Sequence, residues 1–153
     1  MDDRQFRNAM GKFATGVTVV ATEVDGDVHG MTANAFMSVS LNPKLVVISV
    51  SEKARILEKI KKSNIFTVNI LAADQQELSM IFAGQLKEHR EVGFDYLDGK
   101  PVLAGTVAQI ACELSAEHIE GDHTLLIGKV TAIHTGDAEP LIYFSGRYRE
   151  LAD

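Results

Sequence analysis

Apolar positions along the chain follow two rhythms. Phe6, Met10 and Phe13 recur at i, i+4 and i+7, the single stripe of a short helix that Gly16 breaks. Residues 17–23 are rich in β-branched side chains and predict a strand. Asp25-Gly26-Asp27 then signals a tight turn, because Asp and Gly tolerate positive φ, and the chain returns through residues 28–32. Residues 33–42 are small and polar, too polar for a core strand and too apolar for a plain loop, until Asn42-Pro43 closes them. Residues 45–50, Leu-Val-Val-Ile-Ser-Val, form the most apolar strand. Ser51 is placed to cap a helix whose apolar face is Ile56, Leu57 and Ile60. Another strand is expected at 66–71. Asp74 with Glu77 has the spacing of a capping box for a helix through Leu78, Ile81 and Phe82, stopped by Gly84. Residues 85–93 predict a charged surface loop with a short helical turn. A short strand at 94–97 leads into the turn Asp98-Gly99-Lys100-Pro101. Ala108, Ile110, Cys112, Leu114 and Ala116 share one face at period two in a long strand over 107–119. Gly121-Asp122 turns the chain into a partner strand over 125–134, and 141–144 is a last short strand.

Many uneven strands joined by tight turns, without regular strand–helix alternation, disfavour a parallel sheet. The expectation is a mainly β, antiparallel barrel or sandwich carrying three short helices at its ends and edges. At 153 residues this is one domain, spanning 1–153. With 46% hydrophobic and 24% charged residues, the chain has enough apolar surface to fold without staples, which excludes disorder as its main state. A single Cys excludes an internal disulfide and a multi-thiolate zinc site. The net charge of −6 argues against nucleic acid as the main partner, since phosphate binding needs basic patches. No apolar run reaches membrane-spanning length, and acids stand where a signal peptide has basic residues, so a cytoplasmic protein without a membrane partner is expected.

Familiar chemistry is missing from the sequence. It contains no G-x-G-x-x-G, no P-loop and no G-x-S-x-G elbow, and its five His residues have no metal-ligand spacing. If the protein is an enzyme, an organic cofactor carries the difficult step. Four segments remain. Residues 30–43 repeat Thr, Asn and Ser between small residues. They offer hydroxyls and backbone N–H groups to a planar heterocycle or a phosphate, or else form a polar edge strand with an Asn-Pro turn. Val50-Ser51-Glu52-Lys53-Ala54, at a strand-to-helix junction, suits an anion or is an ordinary cap beside a solvated Lys. Phe82-Ala83-Gly84 is a ring contact at a helix end, or a core Phe with a capping Gly. His123, just after a hairpin turn, faces a ligand or merely solvent. Cys112 reads as a core thiol.

Taken together and in order, these segments resemble the short-chain flavin reductase family. The matching blocks are Phe13-Ala14-Thr15-Gly16-Val17-Thr18-Val19-Val20, Gly30-Met31-Thr32-Ala33-Asn34-Ala35-Phe36 and Ser38-Val39-Ser40-Leu41-Asn42-Pro43. Phe82-Ala83-Gly84, Gly121-Asp122-His123-Thr124 and Pro140-Leu141-Ile142-Tyr143-Phe144 follow. The resemblance covers nearly the whole chain, and is closest to the reductase components of two-component phenol and 4-hydroxyphenylacetate 3-monooxygenases. It implies an antiparallel Greek-key split β-barrel, a homodimer, and a flavin (FAD, with FMN as the other choice) at the subunit interface. It implies that NADH passes a hydride from its C4 to flavin N5, and that the reduced flavin serves a partner oxygenase that hydroxylates an aromatic substrate. By analogy, Thr32, Ala33 and Asn34 line the isoalloxazine, and Ser38, Ser40, Ser49, Val50, Ser51 and Lys53 surround the ribityl chain and phosphates. Phe82, Ala83 and Gly84 add flavin contacts. His123 is the candidate for a catalytic role on the nicotinamide side, and Tyr143, Ser145, Gly146 and Arg147 hold NADH. The chain departs from the family at Glu91-Val92-Gly93-Phe94, where many relatives carry an Asp-Arg/Lys-Phe cluster. Two other readings are a non-catalytic flavin carrier or electron-transfer module on the same fold, and an oxidase resembling pyridoxamine phosphate oxidases. A non-enzymatic interaction domain is the third.

Overall fold

The structure, a computed structural model, describes residues 1–85 and 92–152. In chain order its elements are α1 (Asp3–Met10), β1 (Thr15–Gly16), β2 (Thr18–Val24), β3 (Asp27–Ala33), β4 (Phe36–Leu41), β5 (Lys44–Ser51), α2 (Arg55–Ser63), β6 (Ile65–Ile70) and α3 (Gln76–Phe82). Then come β7 (Asp95–Leu97), β8 (Lys100–Val102), β9 (Ala108–Glu120), β10 (His123–Thr135), β11 (Ile142–Phe144) and β12 (Arg147–Arg149). Every strand pairing is antiparallel. The main sheet has seven strands in the order β3-β2-β6-β9-β10-β5-β4, with β1-β11-β12 and β7-β8 as smaller sheets. Its two edge strands, β3 and β4, are joined by Asn34 and Ala35 alone. Three Cα steps span at most about 11 Å, so the sheet has to curl until its edges come together at that corner.

The curled sheet is covered on both faces. On one, Val20, Ile48, Val50, Phe66, Val68, Cys112 and Leu126 form a core with the α2 side chains Ile56, Leu57 and Ile60. On the other, Val17, Val19, Leu71, Leu103 and Leu141 form a second cluster. Alternation along β2 explains both: Val19 and Val20 are each fully buried, but toward opposite faces. The period-two face of β9 appears as expected, with Cys112 in the first core and Ile110 and Leu114 packed against it. Burial pushes the Cys112 thiol pKa up to about 12, as befits a core residue.

The local readings shift in several places. The apolar stripe of α1 is present but turned away from the chain's own core: α1 buries no residue, and Phe13 lies beyond its end. The polar stretch after Ala33 is a true strand, β4, paired with β5 through a bulge between Ser38 and Ser40. Ser51 is not a helix cap. It is the last residue of β5, its hydroxyl accepts from Lys53 N at 3.2 Å, and α2 starts only at Arg55, without a side-chain cap. Asp74 and Glu77 do not box α3 either. Gln75 stands at its N-cap, with its side chain turned to Ala72 N and Ala104 O at 2.8 and 2.9 Å. Lys100 and Pro101 belong to strand β8, so only Asp98 and Gly99, both at positive φ, make that turn. The C-terminal segment is a hairpin, not one strand. Ser145 (φ 50°) and Gly146 (φ 77°) turn β11 into β12, whose Arg-Tyr-Arg carries no apolar run to mark it in sequence. Of the expected loop at 85–93, residues 86–91 lie outside the described residues, and with them Glu91 of the departure from the family pattern. No helix among the described residues is long and apolar enough to cross a membrane.

Candidate functional site

Three cavities meet at the corner where the sheet edges approach each other. The largest is a groove of about 710 Å³ between the Phe13–Gly16 segment, the Asn34–Met37 corner and the β5–β10 pair, with Thr15, Asn34, Phe36, Ser49 and Leu125 in its wall. Its lining is mostly apolar with a few polar groups, the usual character of a site for a planar organic ligand. A second groove of about 570 Å³ runs along α1 past Lys12, Asn34, Tyr143, Ser145 and Gly146. A smaller cavity of about 170 Å³ lies among Thr32, Ala33, Asn34, Ser79, Ala83, Tyr143 and Tyr148. Asn34 borders all three, and Tyr143 borders two of them.

Backbone pairing builds this corner. Ser49 N donates to Ala35 O at 3.1 Å, which fixes the corner peptide over β5. The Thr18 hydroxyl donates to Ala33 O at 2.7 Å and closes the other side. The Thr32 hydroxyl donates to Ser79 O at 2.6 Å, so its hydrogen is committed to α3, and a ligand at Thr32 would meet only oxygen lone pairs or the methyl group. Thr15 is the opposite case. Its Oγ1 is buried and has no hydrogen-bond partner among the described residues, although Thr15 lines the main groove. A buried hydroxyl left unpaired costs about 1–3 kcal/mol, which a ligand's polar edge would relieve. An apolar groove with an orphan hydroxyl, Ser49, and the amide of Asn34 fits a flavin ring, which is planar and bears hydrogen-bonding groups along one edge.

The remaining expected residues are dispersed. At the end of the β5–β10 pair, His123 sits opposite Ser51, on the same face as Ser49 and Leu125, one pair further along. Glu52 N donates to Asp122 O at 2.9 Å, which brings Lys53 up to the hairpin. Asp122 Oδ1 lies 2.8 Å from His123 Nδ1, and this bond, the charge of the His and that of Lys53 hold the Asp122 pKa below its ordinary range. His123, Ser51 and Lys53 thus form a half-exposed polar cluster continuing the groove face. Elsewhere, Phe82 packs its ring over Gly30, where an added Cβ would lie 2.7 Å from two ring carbons, and tilts against Phe94 at 6.0 Å. Gly84 takes the left-handed turn expected of it (φ 72°), exposed beyond Ala83. Ser38 and Ser40 flank the β4 bulge and line none of the three cavities. The Val50 side chain is fully buried in the α2-side core, which leaves only its backbone for any ligand. Arg147 is exposed at the start of β12.

The structure therefore gathers Thr32, Ala33, Asn34, Ser49, Ala83, Tyr143, Ser145 and Gly146 around one corner, and adds three residues that sequence reasoning missed as site residues. Thr15 had no marker, because nothing local distinguishes an orphan hydroxyl from a paired one. Ser79 is a polar residue among the apolar positions of α3, fully buried with its hydroxyl 2.7 Å from Tyr148 OH. Tyr148 lies on the unanticipated β12. Among the described residues no cluster of His, Cys, Asp and Glu could hold a metal.

Comparison with known proteins follows the same outline. Residues 10–152 match the family described as flavin reductase like domain. An NADH-dependent flavin reductase from Rhodococcus sp. is 44% identical over 148 residues, covering 95% of this chain and 84% of the relative. The reductase component of 4-hydroxyphenylacetate 3-monooxygenase from Thermus thermophilus is 40% identical over 147 residues, 95% of each chain. The solved structure of flavin reductase PheA2 in its native state superposes with a TM-score of 0.99 at 60% identity, over the full length of both chains. An antiparallel fold, a corner fit for a flavin ring and a match over nearly its whole length place this chain in the flavin reductase-like domain family.

Proposed function

We infer that the protein is an NADH-dependent flavin reductase that supplies reduced flavin, FAD or FMN, to the oxygenase component of a two-component monooxygenase acting on an aromatic substrate. The observation that carries this reading is the continuous corner at Asn34, where an apolar groove with an orphan hydroxyl adjoins a second groove walled by Tyr143. Bound flavin supplies the hydride acceptor for NADH. The chain's own residues supply binding, orientation and electrostatics. Thr15, Asn34 and Ser49 would offer polar atoms to a ring bound in the groove that Phe36 and Leu125 also line. Ser51 and Lys53 offer a hydroxyl and a positive charge to a phosphate. His123, Tyr143, Ser145, Gly146 and Arg147 face the dinucleotide. No acid or base is required at the corner, because hydride transfer depends on alignment, which proximity favours by several kcal/mol.

The finer architecture belongs to the same proposal. The two-residue link between the edge strands supports a split barrel of Greek-key type, formed by one domain over 1–153. A homodimer is supported by α1, which buries nothing, and by the exposure of Phe6 (52%), Met10 (56%), Phe13 (79%) and Met37 (60%) around the groove. The protein works in the cytoplasm, where NADH is available. The test is NADH oxidation by the purified protein with and without FAD, FMN or riboflavin, alongside sedimentation. Oxidation that depends on added flavin, from a dimer, is expected. Flavin binding without NADH oxidation would replace the reading with a flavin carrier, and a monomer would remove the interface.

A further inference from the structure

We propose that Tyr148 and Ser79 are positioning residues for NADH, a clamp that fixes how the Tyr143 ring is presented at the corner. The inference rests on the reading that Tyr143 holds the dinucleotide.

Tyr143 and Tyr148 are directly opposite each other across the β11–β12 hairpin, so their side chains share a face. Their rings meet edge to face, with centroids 5.3 Å apart and planes inclined at 65°. The Tyr148 ring is thus one of the surfaces that orient Tyr143, and both rings also pack on the cluster of Val17, Val19, Leu71, Leu103 and Leu141. The hairpin itself is short. It has three residues a side, and its outer neighbour β1 has two. Hairpins this small are marginal without further packing.

Ser79 adds a directed polar anchor on its Tyr148 side. The Ser79 hydroxyl lies 2.7 Å from Tyr148 OH, and the residue is fully buried within α3. The carbonyl of the same residue accepts the Thr32 hydroxyl at 2.6 Å. One residue therefore ties β3, which carries Thr32 and Ala33, to the strand that carries Tyr148. Tyr143 and Thr32 wall the same 170 Å³ cavity, so the tie sets the distance between the proposed flavin wall and the proposed NADH wall. Neither Ser79 nor Tyr148 has to touch a reacting atom for this. A slack clamp would misplace the dinucleotide while leaving the main groove, on the other side of Asn34, as it is.

The experiment uses the full-length enzyme with Tyr148→Phe, Ser79→Ala and the double variant, and Tyr143→Ala in parallel. Each carries measurements of KM for NADH, kcat, flavin Kd, Tm, and the long-wavelength charge-transfer absorbance formed on anaerobic mixing with NADH. Loss of one buried hydrogen bond predicts about a fivefold rise in KM for NADH in each single variant, with flavin Kd changed by less than about twofold. The double variant should be no worse than either single one, because both remove the same contact. The charge-transfer amplitude should fall in all three. Wild-type KM in Tyr148→Phe, or effects that multiply in the double variant, would overturn the clamp. So would a parallel loss of flavin affinity and Tm, which marks a purely structural contact. If Tyr143→Ala raises KM and Tyr148→Phe does not, the clamp alone fails. If Tyr143→Ala keeps wild-type KM, the placement of NADH against Tyr143 falls and the clamp with it. Should Ser79→Ala not fold, the comparison of Tyr148→Phe with Tyr143→Ala decides the matter by the same criteria.

Discussion

Gly30→Ala tests the packing that holds the end of α3 against the sheet. A methyl group on Gly30 would lie 2.7 Å from Cδ1 and Cε1 of Phe82 and 3.4 Å from a Val19 methyl carbon. The Phe82 ring cannot simply swing clear, because it packs against the Val17–Val19–Leu71 cluster and tilts against Phe94. Overpacking of this kind costs about 1–3 kcal/mol. Replacing Gly with Ala in a strand returns about 0.5–1 kcal/mol through the unfolded chain. The net loss then lies between about 0 and 2.5 kcal/mol, centred near 1. A domain of this size loses about 2–4 °C of Tm per kcal/mol, so the expected fall is a few degrees and about 10 °C at most. Thermal melts followed by circular dichroism read it directly, in wild type, Gly30→Ala, Phe82→Leu and the double variant. In the Phe82→Leu background the ring carbons are gone, and Gly30→Ala should cost nothing or stabilise. An equal change in Tm in both backgrounds would refute the argument.

Other residues make separate predictions. His123→Ala should raise KM for NADH more than it weakens flavin binding, and Lys53→Ala should weaken flavin binding about fivefold through the lost phosphate contact. Wild-type constants in steady-state kinetics and flavin titration would remove each from the site. Thr15→Val keeps the shape and removes the orphan hydroxyl. It should stabilise the flavin-free protein by about 1 kcal/mol and lower flavin affinity, whereas reduced stability with unchanged affinity would show the hydroxyl to be paired within the chain. Cys112 should resist alkylation in the folded protein and react once unfolded. Its folded thiol keeps its proton up to about pH 12, whereas the unfolded thiol, at 9.0, releases it. The unfolded state therefore binds fewer protons between these values, and stability falls as pH rises from 9 toward 12. Cys112→Ala should abolish that part of the slope in denaturant melts taken across the range.

Much of the strand pattern was legible because its causes are local. Asp25-Gly26 and Asp98-Gly99 announce tight turns through their tolerance of positive φ, and both pairs adopt it. The inward period of β9 needs only the alternation of a pleated strand. The misreadings at Ser51 and Asp74 share one cause. A residue able to cap a helix need not do so: strand pairing carries Ser51 to the end of β5, and Gln75 takes the N-cap of α3. Short β12 escapes notice because its Arg-Tyr-Arg carries no apolar run to mark it.

The site divides in the same way. Residue types and their order, from the Thr-Ala-Asn block to the Gly-Asp-His hairpin, were enough to indicate a flavin-binding family, since such segments are short and contiguous. Which hydroxyls are free was decided only in three dimensions. The Thr32 hydroxyl is engaged by a carbonyl 47 residues away, and that of Ser79 by a phenol 69 residues away. Thr15 meets no partner at all among the described residues. Local sequence signals were enough for the longer apolar strands and the Asp-Gly turns, and the family resemblance for a flavin as the expected ligand. Tertiary structure alone decided which polar atoms remain to receive it, because a hydrogen bond is satisfied by whatever the fold brings within about 3 Å, however distant along the chain.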